Sequence, residues 1–131
     1  MKPKRLNKGD TVGIICPSFS ISRKSPRISV LERYLSELGL NLLYGQSMGA
    51  SYGYLAGDDT FRAKDLEAMF MDDKISAVIC MLGGYGASRI VDKIDYNKIA
   101  TRPKLFMGFS DITVLLMLFI NIPICQRYTA L

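Results

Sequence analysis

Four short runs of mostly apolar residues constrain the fold of this sequence more than any other feature. The runs are VGIIC at 12–16, LNLLY at 40–44, ISAVICML at 75–82 and KLFMG at 104–108. Their length and the turn residues around them indicate buried strands. Because apolar and polar residues do not alternate regularly within them, both faces of each strand should be covered, as in a parallel sheet.

Helical segments separate the predicted strands. Ser25 followed by Pro26 is typical of an N-cap with proline at the first helical position, and apolar residues then recur at helical spacing until Gly39 ends the helix. A second helix is predicted from about Asp59, where acidic residues suit the helix dipole. Two more are predicted, a short one at 88–94 and a buried one at 112–120. This alternation predicts an α/β fold with a mostly parallel sheet flanked by helices.

The composition suits one globular domain over residues 1–131, since 49% of the residues are hydrophobic and 22% are charged. The longest apolar stretch, at 112–120, is far shorter than the roughly 20 residues that cross a bilayer. The basic N-terminus lacks the apolar region of a secretory signal, so a cytoplasmic protein without membrane contact is expected. The net charge of +5 is spread along the chain without interleaved aromatic residues, so no nucleic-acid partner is expected.

Other chemically versatile side chains carry no predicted site. Cysteines occur at positions 16, 80 and 125, with the spacing of neither a disulfide framework nor a zinc site, and are predicted to be buried free thiols. No metal or cofactor is expected. Asp58, Asp59 and Arg62 are interpreted as ordinary dipole and ion-pair residues at a helix start.

Three turns follow predicted strands at the edge where α/β proteins build their sites, beyond the carboxyl ends of the strands. They are Pro17 with Ser18, Gly83 to Gly86, and Gly108 to Asp111. The middle turn is not a dinucleotide-binding motif, because Arg89 occupies the position of the third glycine and the turn follows the third strand. Its glycines either bring backbone N–H groups close to a reacting carbonyl or only form a tight turn, and the sequence leaves both interpretations open.

Ser110 lies where an apolar run passes directly into a helix. This is the position of the serine in a nucleophile elbow, in which the hydroxyl is exposed and the N–H of the next residue, here Asp111, stabilises an oxyanion. The surrounding GFSD is not the GxSxG pattern, and a serine near a helix start is also an ordinary N-cap. The spacing alone leaves both interpretations open.

Four motifs in order give the chain a resemblance to a known family. They are GDTVGIICPS at 9–18, YLAGDDTFRAKDL at 54–66, AVICMLGGYGASRIVDKID at 77–95 and PKLFMGFSDIT at 103–113. Together they resemble the N-terminal domain of the LD-carboxypeptidases, cytoplasmic serine peptidases that include muramoyltetrapeptide carboxypeptidase and the microcin C immunity peptidases. The resemblance implies a Rossmann-like or flavodoxin-like domain.

The resemblance also implies site residues. Ser110 would be the nucleophile, and the N–H groups of Asp111 and Gly84 would form the oxyanion hole. Gly83 and Tyr85 would contact the substrate. The family releases a terminal D-alanine from cell-wall tetrapeptides during peptidoglycan recycling, through an acyl-enzyme and without metal. A murein peptide or another small peptide is therefore the expected partner.

The family places the glutamate and histidine of its triad in a C-terminal domain, which we expect this chain to lack. The chain contains no histidine, and a serine needs an adjacent base to become a good nucleophile. Lys64, Lys93 or Lys98 could replace the histidine in principle. We expect the isolated chain to be inactive or nearly so.

Two alternative functions stay open. One is an immunity-type peptidase that cleaves aminoacyl-nucleotide amides, and the other is a non-catalytic domain that binds a peptide or a carboxylate. The surface that would face an absent domain should be partly apolar, which could drive formation of a homodimer.

Overall fold

The computed structural model describes residues 4–120 and shows a four-stranded parallel sheet flanked by helices. The strands are β1 (Thr11–Ile15), β2 (Asn41–Tyr44), β3 (Ile75–Cys80) and β4 (Leu105–Met107). The helices are α1 (Pro26–Glu37), α2 (Asp59–Met71), α3 (Tyr96–Thr101) and α4 (Thr113–Ile120), and 3₁₀ turns span Ala87–Ile90 and Ser110–Ile112. The predicted α/β class is confirmed. In this part of the chain, no helix is long and apolar enough to cross a membrane.

The strand order is β2-β1-β3-β4, so β1 has a parallel neighbour on each side. Gly13 of β1 is in register with Leu43 of β2 and with Val78 of β3. Because the chain passes from β1 to one side and then to the other, a crevice opens beyond the carboxyl ends of β1 and β3. The turns that follow these two strands lie at this crevice.

Two hydrophobic clusters cover the two faces of the sheet, as the unalternating strands predict. The side chains of β1 alternate between them. Ile15 packs in one cluster with Phe70 of α2, whereas Val12 and Ile14 pack in the other with Leu35 of α1. Both faces of the strand are therefore buried, which accounts for its continuous apolar sequence.

The ends of the first two helices follow the predicted local signals. The Ser25 hydroxyl accepts a hydrogen bond from the N–H of Arg27 at 3.3 Å, and α1 begins at Pro26. Gly39, with a φ of +77°, follows the last turn of this helix. The carboxylate of Asp58 caps α2. Both predicted helix starts are confirmed.

The prediction for the segment after β3 was partly wrong. The predicted helix at 88–94 is only a 3₁₀ turn over Ala87–Ile90, in which the N–H of Arg89 donates to the carbonyl three residues earlier, at Gly86. Seven residues are too few to form a stable α-helix by themselves. The strand predicted over 75–82 ends at Cys80, which pairs with Ile15, the last residue of β1, so no partner strand continues beyond it. The short helix α3 was not predicted. It is capped by Asp95.

Cys16 and Cys80 are buried free thiols, as predicted. Burial, with a smaller contribution from the carboxylate of Asp65, raises the pKa of Cys16 to about 12. Burial likewise raises the pKa of Cys80. Both thiols are therefore protonated at neutral pH. Cys125 lies outside the described residues.

Candidate active site

The three turns identified in the sequence lie together at the carboxyl edge of the sheet. Their link is the carboxylate of Asp111, whose Oδ2 accepts hydrogen bonds from the N–H groups of Gly86 at 3.0 Å and Ala87 at 2.8 Å. The same oxygen accepts from the buried hydroxyl of Ser18 at 2.7 Å. The Ser18 oxygen in turn accepts from the N–H of Gly86 at 2.9 Å. One carboxylate oxygen thus joins the turns after β1, β3 and β4.

Ser110 lies in a strained turn between β4 and α4. Its φ is 57°, a left-handed conformation that costs a residue with a side chain about 1–2 kcal/mol. Among the described residues, no other non-glycine has a positive φ. The side chain is exposed, and its hydroxyl makes no hydrogen bond to a described residue. The 3₁₀ turn has Phe109 as its N-cap, so the nucleophile-elbow interpretation is favoured over the cap.

The glycine turn after β3 lies directly against Ser110. A Cβ atom added to Gly83 would lie 3.3 Å from Cβ of Ser110 and 3.5 Å from the nitrogen of Asp111. Gly84 has a φ of +139°, and a Cβ added there would lie 2.3 Å from the ring of Phe19. The N–H of Gly84 makes no hydrogen bond within the described part of the chain. A donor without a partner beside an exposed serine is what an oxyanion hole requires.

Ser110 and the glycine turn open onto one cavity of about 380 Å³. Aromatic rings form much of its wall. Phe19 meets Tyr85 edge to face, with ring centroids 5.6 Å apart, and Phe109 lies on the side of Ser110. Tyr85 is 80% exposed. The structure therefore brings four predicted site residues to one cavity, namely Gly83, Gly84, Tyr85 and Ser110.

Arg62 holds the first two turns from within the protein. Its side chain is fully buried, and Nη1 donates hydrogen bonds to the carbonyl oxygens of Pro17 at 2.7 Å and Gly86 at 2.8 Å. Its Nε donates to the carbonyl of Gly57 at 3.0 Å, and Nη2 pairs with Asp59. The predicted ion pair is confirmed. The interpretation of Arg62 as an ordinary ion-pair residue was nevertheless incomplete, because it also links three carbonyl groups in the interior.

No general base is identified beside Ser110 among the described residues. Lys64, Lys93 and Lys98 are exposed, and none of them lines the cavity. The carboxylate of Asp111 already accepts three hydrogen bonds. This site therefore presents an exposed serine hydroxyl and a backbone N–H without a partner, but no described group that could take the serine proton.

We expect Asp111→Ala to loosen the glycine turn. The substitution leaves the N–H groups of Gly86 and Ala87 and the hydroxyl of Ser18 without their common acceptor, at a cost of about 1–3 kcal/mol in the free energy of unfolding. Urea denaturation measures that cost, and hydrogen exchange should show lost protection of the two amides. Asp92→Ala, at an exposed carboxylate, is the matched control and should change the free energy of unfolding by less than about 0.5 kcal/mol. Unchanged protection in Asp111→Ala would contradict the role of this carboxylate.

The fold and this turn together define an α/β domain with an exposed serine at a nucleophile elbow. Residues 12–126 match the family model described as the LD-carboxypeptidase N-terminal domain. The chain therefore belongs to the LD-carboxypeptidase family, as its four motifs indicated.

Similar proteins and a similar solved structure agree with this family assignment. A probable murein peptide carboxypeptidase of Bacillus subtilis is 47% identical over 114 residues, which cover 87% of this chain and 35% of that protein. A murein tetrapeptide carboxypeptidase of Pseudomonas aeruginosa is 37% identical over 112 residues, which cover 82% of this chain and 35% of that protein. Among solved structures, the microcin C7 self immunity protein in its wild-type apo state matches with a TM-score of 0.80 and 27% identity. The match covers 85% of this chain and 33% of that protein. The chain spans about a third of the length of these proteins.

Sequence reasoning missed the residues that assemble the site. It assigned a role only to the backbone N–H of Asp111, whereas the side chain of this residue joins the turns. It gave no role to Phe19, which covers Gly84. The available signal was positional, since Ser18 and Phe19 directly follow the first strand at the functional edge of the sheet.

Proposed function

We propose that the chain is the N-terminal domain of a serine LD-carboxypeptidase, with residues 1–131 forming one unit that carries the nucleophile and the oxyanion hole. The observation that carries this proposal is the conformation of Ser110, an exposed serine held at a φ of 57° beside a glycine turn. Such strain persists only where the surrounding structure imposes it, and it is concentrated at functional sites. Here the carboxylate of Asp111 fixes the surrounding turns.

In the proposed reaction, Oγ of Ser110 attacks the carbonyl carbon of the scissile amide. A C–O bond forms, and the carbonyl electrons move to the oxygen, which accepts hydrogen bonds from the N–H groups of Asp111 and Gly84. A base takes the serine proton and gives it to the leaving amine as the C–N bond breaks. Water then hydrolyses the acyl-enzyme. The base belongs to a part of the protein outside the described residues, a histidine oriented by a glutamate in this proposal.

The proposed substrate is a murein tetrapeptide, from which the terminal D-alanine is released during peptidoglycan recycling. Support comes from the relatives, two of which are named for murein peptides and match more than four-fifths of this chain. Gly83 and Tyr85 would contact the peptide at the mouth of the cavity. The exposed ring of Tyr85 suits such a contact.

A second candidate is cleavage of an aminoacyl-nucleotide amide. The observation that favours it is the structural similarity to the microcin C7 self immunity protein, a mutant of which has been solved in complex with adenosine monophosphate. The nucleophile and oxyanion hole would act in the same way. Only the group that occupies the rest of the site would differ.

Location and assembly complete the proposal. We place the protein in the cytoplasm, because buried free thiols such as Cys16 and Cys80 suit a reducing compartment. Its partner surfaces would include the exposed apolar side chains of Leu38, Leu43 and Phe109. These could contact a C-terminal domain or a second copy of the chain.

Joining the chain to the C-terminal part of the Bacillus subtilis relative tests the proposed function. We expect the joined protein to release D-alanine from a lysine-containing murein tetrapeptide, because the added part would supply the base. The chain alone should show no release above background. Mass spectrometry of the products measures both, with the intact relative as the positive control.

Three other results would count against parts of this account. A folded joined protein that leaves the tetrapeptide intact would contradict the carboxypeptidase proposal. If that protein instead cleaves an aminoacyl-nucleotide amide, the second candidate replaces the first. Robust release by the chain alone would mean that another group serves as the base.

A further inference from the structure

The cavity beside Ser110 holds a single charged side chain among the described residues that line it. This is Arg27, in the first turn of α1. The other described lining residues are glycine, serine, leucine and aromatic residues. The cavity therefore combines a hydroxyl nucleophile with one cation and mainly apolar walls.

Arg27 is not engaged by another group of the protein. Its guanidinium makes no ion pair or hydrogen bond within the described residues, and the side chain is exposed. By contrast, Arg62 and Arg89 both contact the carboxylate of Asp59. The guanidinium of Arg27 is thus available to bind an anion that enters the cavity.

We propose that Arg27 binds the free terminal carboxylate of the peptide and thereby selects substrates that end one residue beyond the scissile bond. This inference rests on the proposed function, because it takes Ser110 as the nucleophile. Successive Cα atoms are about 3.8 Å apart, so the terminal carboxylate of such a substrate lies within one residue of the attacked carbonyl. A cavity lined by both Arg27 and Ser110 suits that separation.

The chemistry of the guanidinium fits this task. Its planar group presents paired N–H donors that match the two oxygens of a carboxylate, and it stays protonated at any physiological pH. Phe19, Tyr85 and Phe109 line the same cavity, and a peptide that covers these rings would displace water from around the ion pair. Electrostatic attraction is stronger where water is excluded. A peptide whose terminus is amidated or extended would lose this interaction.

Calorimetry with the chain itself tests the inference, because it needs binding and not turnover. Two ligands are compared, a lysine-containing murein tetrapeptide with a free terminal carboxylate and the same peptide with a terminal amide. We expect the acid to bind about 10- to 100-fold more tightly than the amide. Arg27→Gln should remove this preference by weakening only the acid, and Arg27→Lys should retain part of it.

Arg33→Gln is the matched control, because Arg33 is an exposed arginine of the same helix that does not line the cavity. It should leave the ratio of the two affinities unchanged. Tight binding of the acid that Arg27→Gln does not weaken would overturn this inference and leave the proposed function standing. Failure of both peptides to bind the unaltered chain would overturn the role of Arg27, whereas the proposed function is decided separately by D-alanine release from the joined protein.

Discussion

Ser110→Ala is expected to reduce D-alanine release by the joined protein by roughly 10⁴- to 10⁶-fold. The alanine variant keeps the glycine turn and the oxyanion donors but has no atom that can form the acyl-enzyme. Only the residual acceleration from binding and from the oxyanion hole should remain. Steady-state rates from the same product assay measure the loss. Ser88→Ala, at an exposed serine of the 3₁₀ turn after the glycine turn, should retain the full rate.

Stability measurements on the same position separate chemistry from folding. Because the φ of Ser110 is 57°, Ser110→Gly should be more stable than Ser110→Ala by about 1 kcal/mol, although neither variant is active. The matched pair is at Thr113, where φ is −54° in the helical region. There the glycine variant should be less stable than the alanine variant, by up to about 1 kcal/mol. The same sign at both positions would contradict the strained conformation of Ser110.

Arg62→Met should lower the free energy of unfolding by about 3–5 kcal/mol, because three carbonyl oxygens in the interior lose their donor at about 1–3 kcal/mol each. The methionine fills similar space but leaves the carbonyls of Pro17, Gly86 and Gly57 without their common donor. Urea denaturation measures the change. If the methionine variant does not fold, Arg62→Lys provides the second measurement, because it keeps the charge and loses the planar fork. The free energy of unfolding of Arg62→Lys should lie between that of the unaltered chain and that of Arg62→Met.

Arg89→Met is the control for Arg62. Arg89 binds the same carboxylate, and its hydrogen bond is the largest contribution that holds the pKa of Asp59 below its usual value. Its side chain is 57% exposed, however, so solvent screens the ion pair. The free energy of unfolding of Arg89→Met should therefore be close to that of the unaltered chain. Equal losses of stability in Arg62→Met and Arg89→Met would contradict the buried role of Arg62.

The main elements of the fold were predictable because their signals are local. A continuously apolar run such as VGIIC indicates a strand covered on both faces, and Ser25 with Pro26 indicates a helix start. The short helix α3 was missed because six residues are too few to show a helical period, and its clearest signal is the capping side chain of Asp95. The helix predicted at 88–94 is replaced by a 3₁₀ turn over Ala87–Ile90, since so short a segment has little helical stability of its own.

The candidate site divides in the same way. The three turns and Ser110 were identified from their position after strands, which topology places at one edge of a parallel sheet. The side chains that join these turns were not identified. Arg62 contacts carbonyls 45 and 24 positions away, and Asp111 reaches the N–H of Gly86 across 25 positions. The spacing of Asp59 and Arg62 is the same whether Arg62 is buried or forms only a surface ion pair, so the sequence does not distinguish the two.

The position of the turns at the carboxyl edge of the sheet accounts for the groups that the candidate site contains. The turns after β3 and β4 bring Gly84 and Ser110 to one cavity, and the first turn of α1 adds the cation of Arg27. The serine and the free N–H lie in turns that the carboxylate of Asp111 holds together. Under the proposed function, the base comes from a second part of the protein and approaches Ser110 from the open side of this cavity.

The most direct test of the account is the site of covalent modification by a fluorophosphonate in the joined protein. Attack by Oγ on phosphorus forms a P–O bond and expels fluoride, while the base takes the serine proton, so the label marks the activated nucleophile. We expect one label per molecule on the peptide that contains Ser110, with parallel loss of D-alanine release, and no label in Ser110→Ala. A label on another residue would contradict the assignment of Ser110 as the nucleophile. Full D-alanine release by protein that carries the label on Ser110 would contradict it as well.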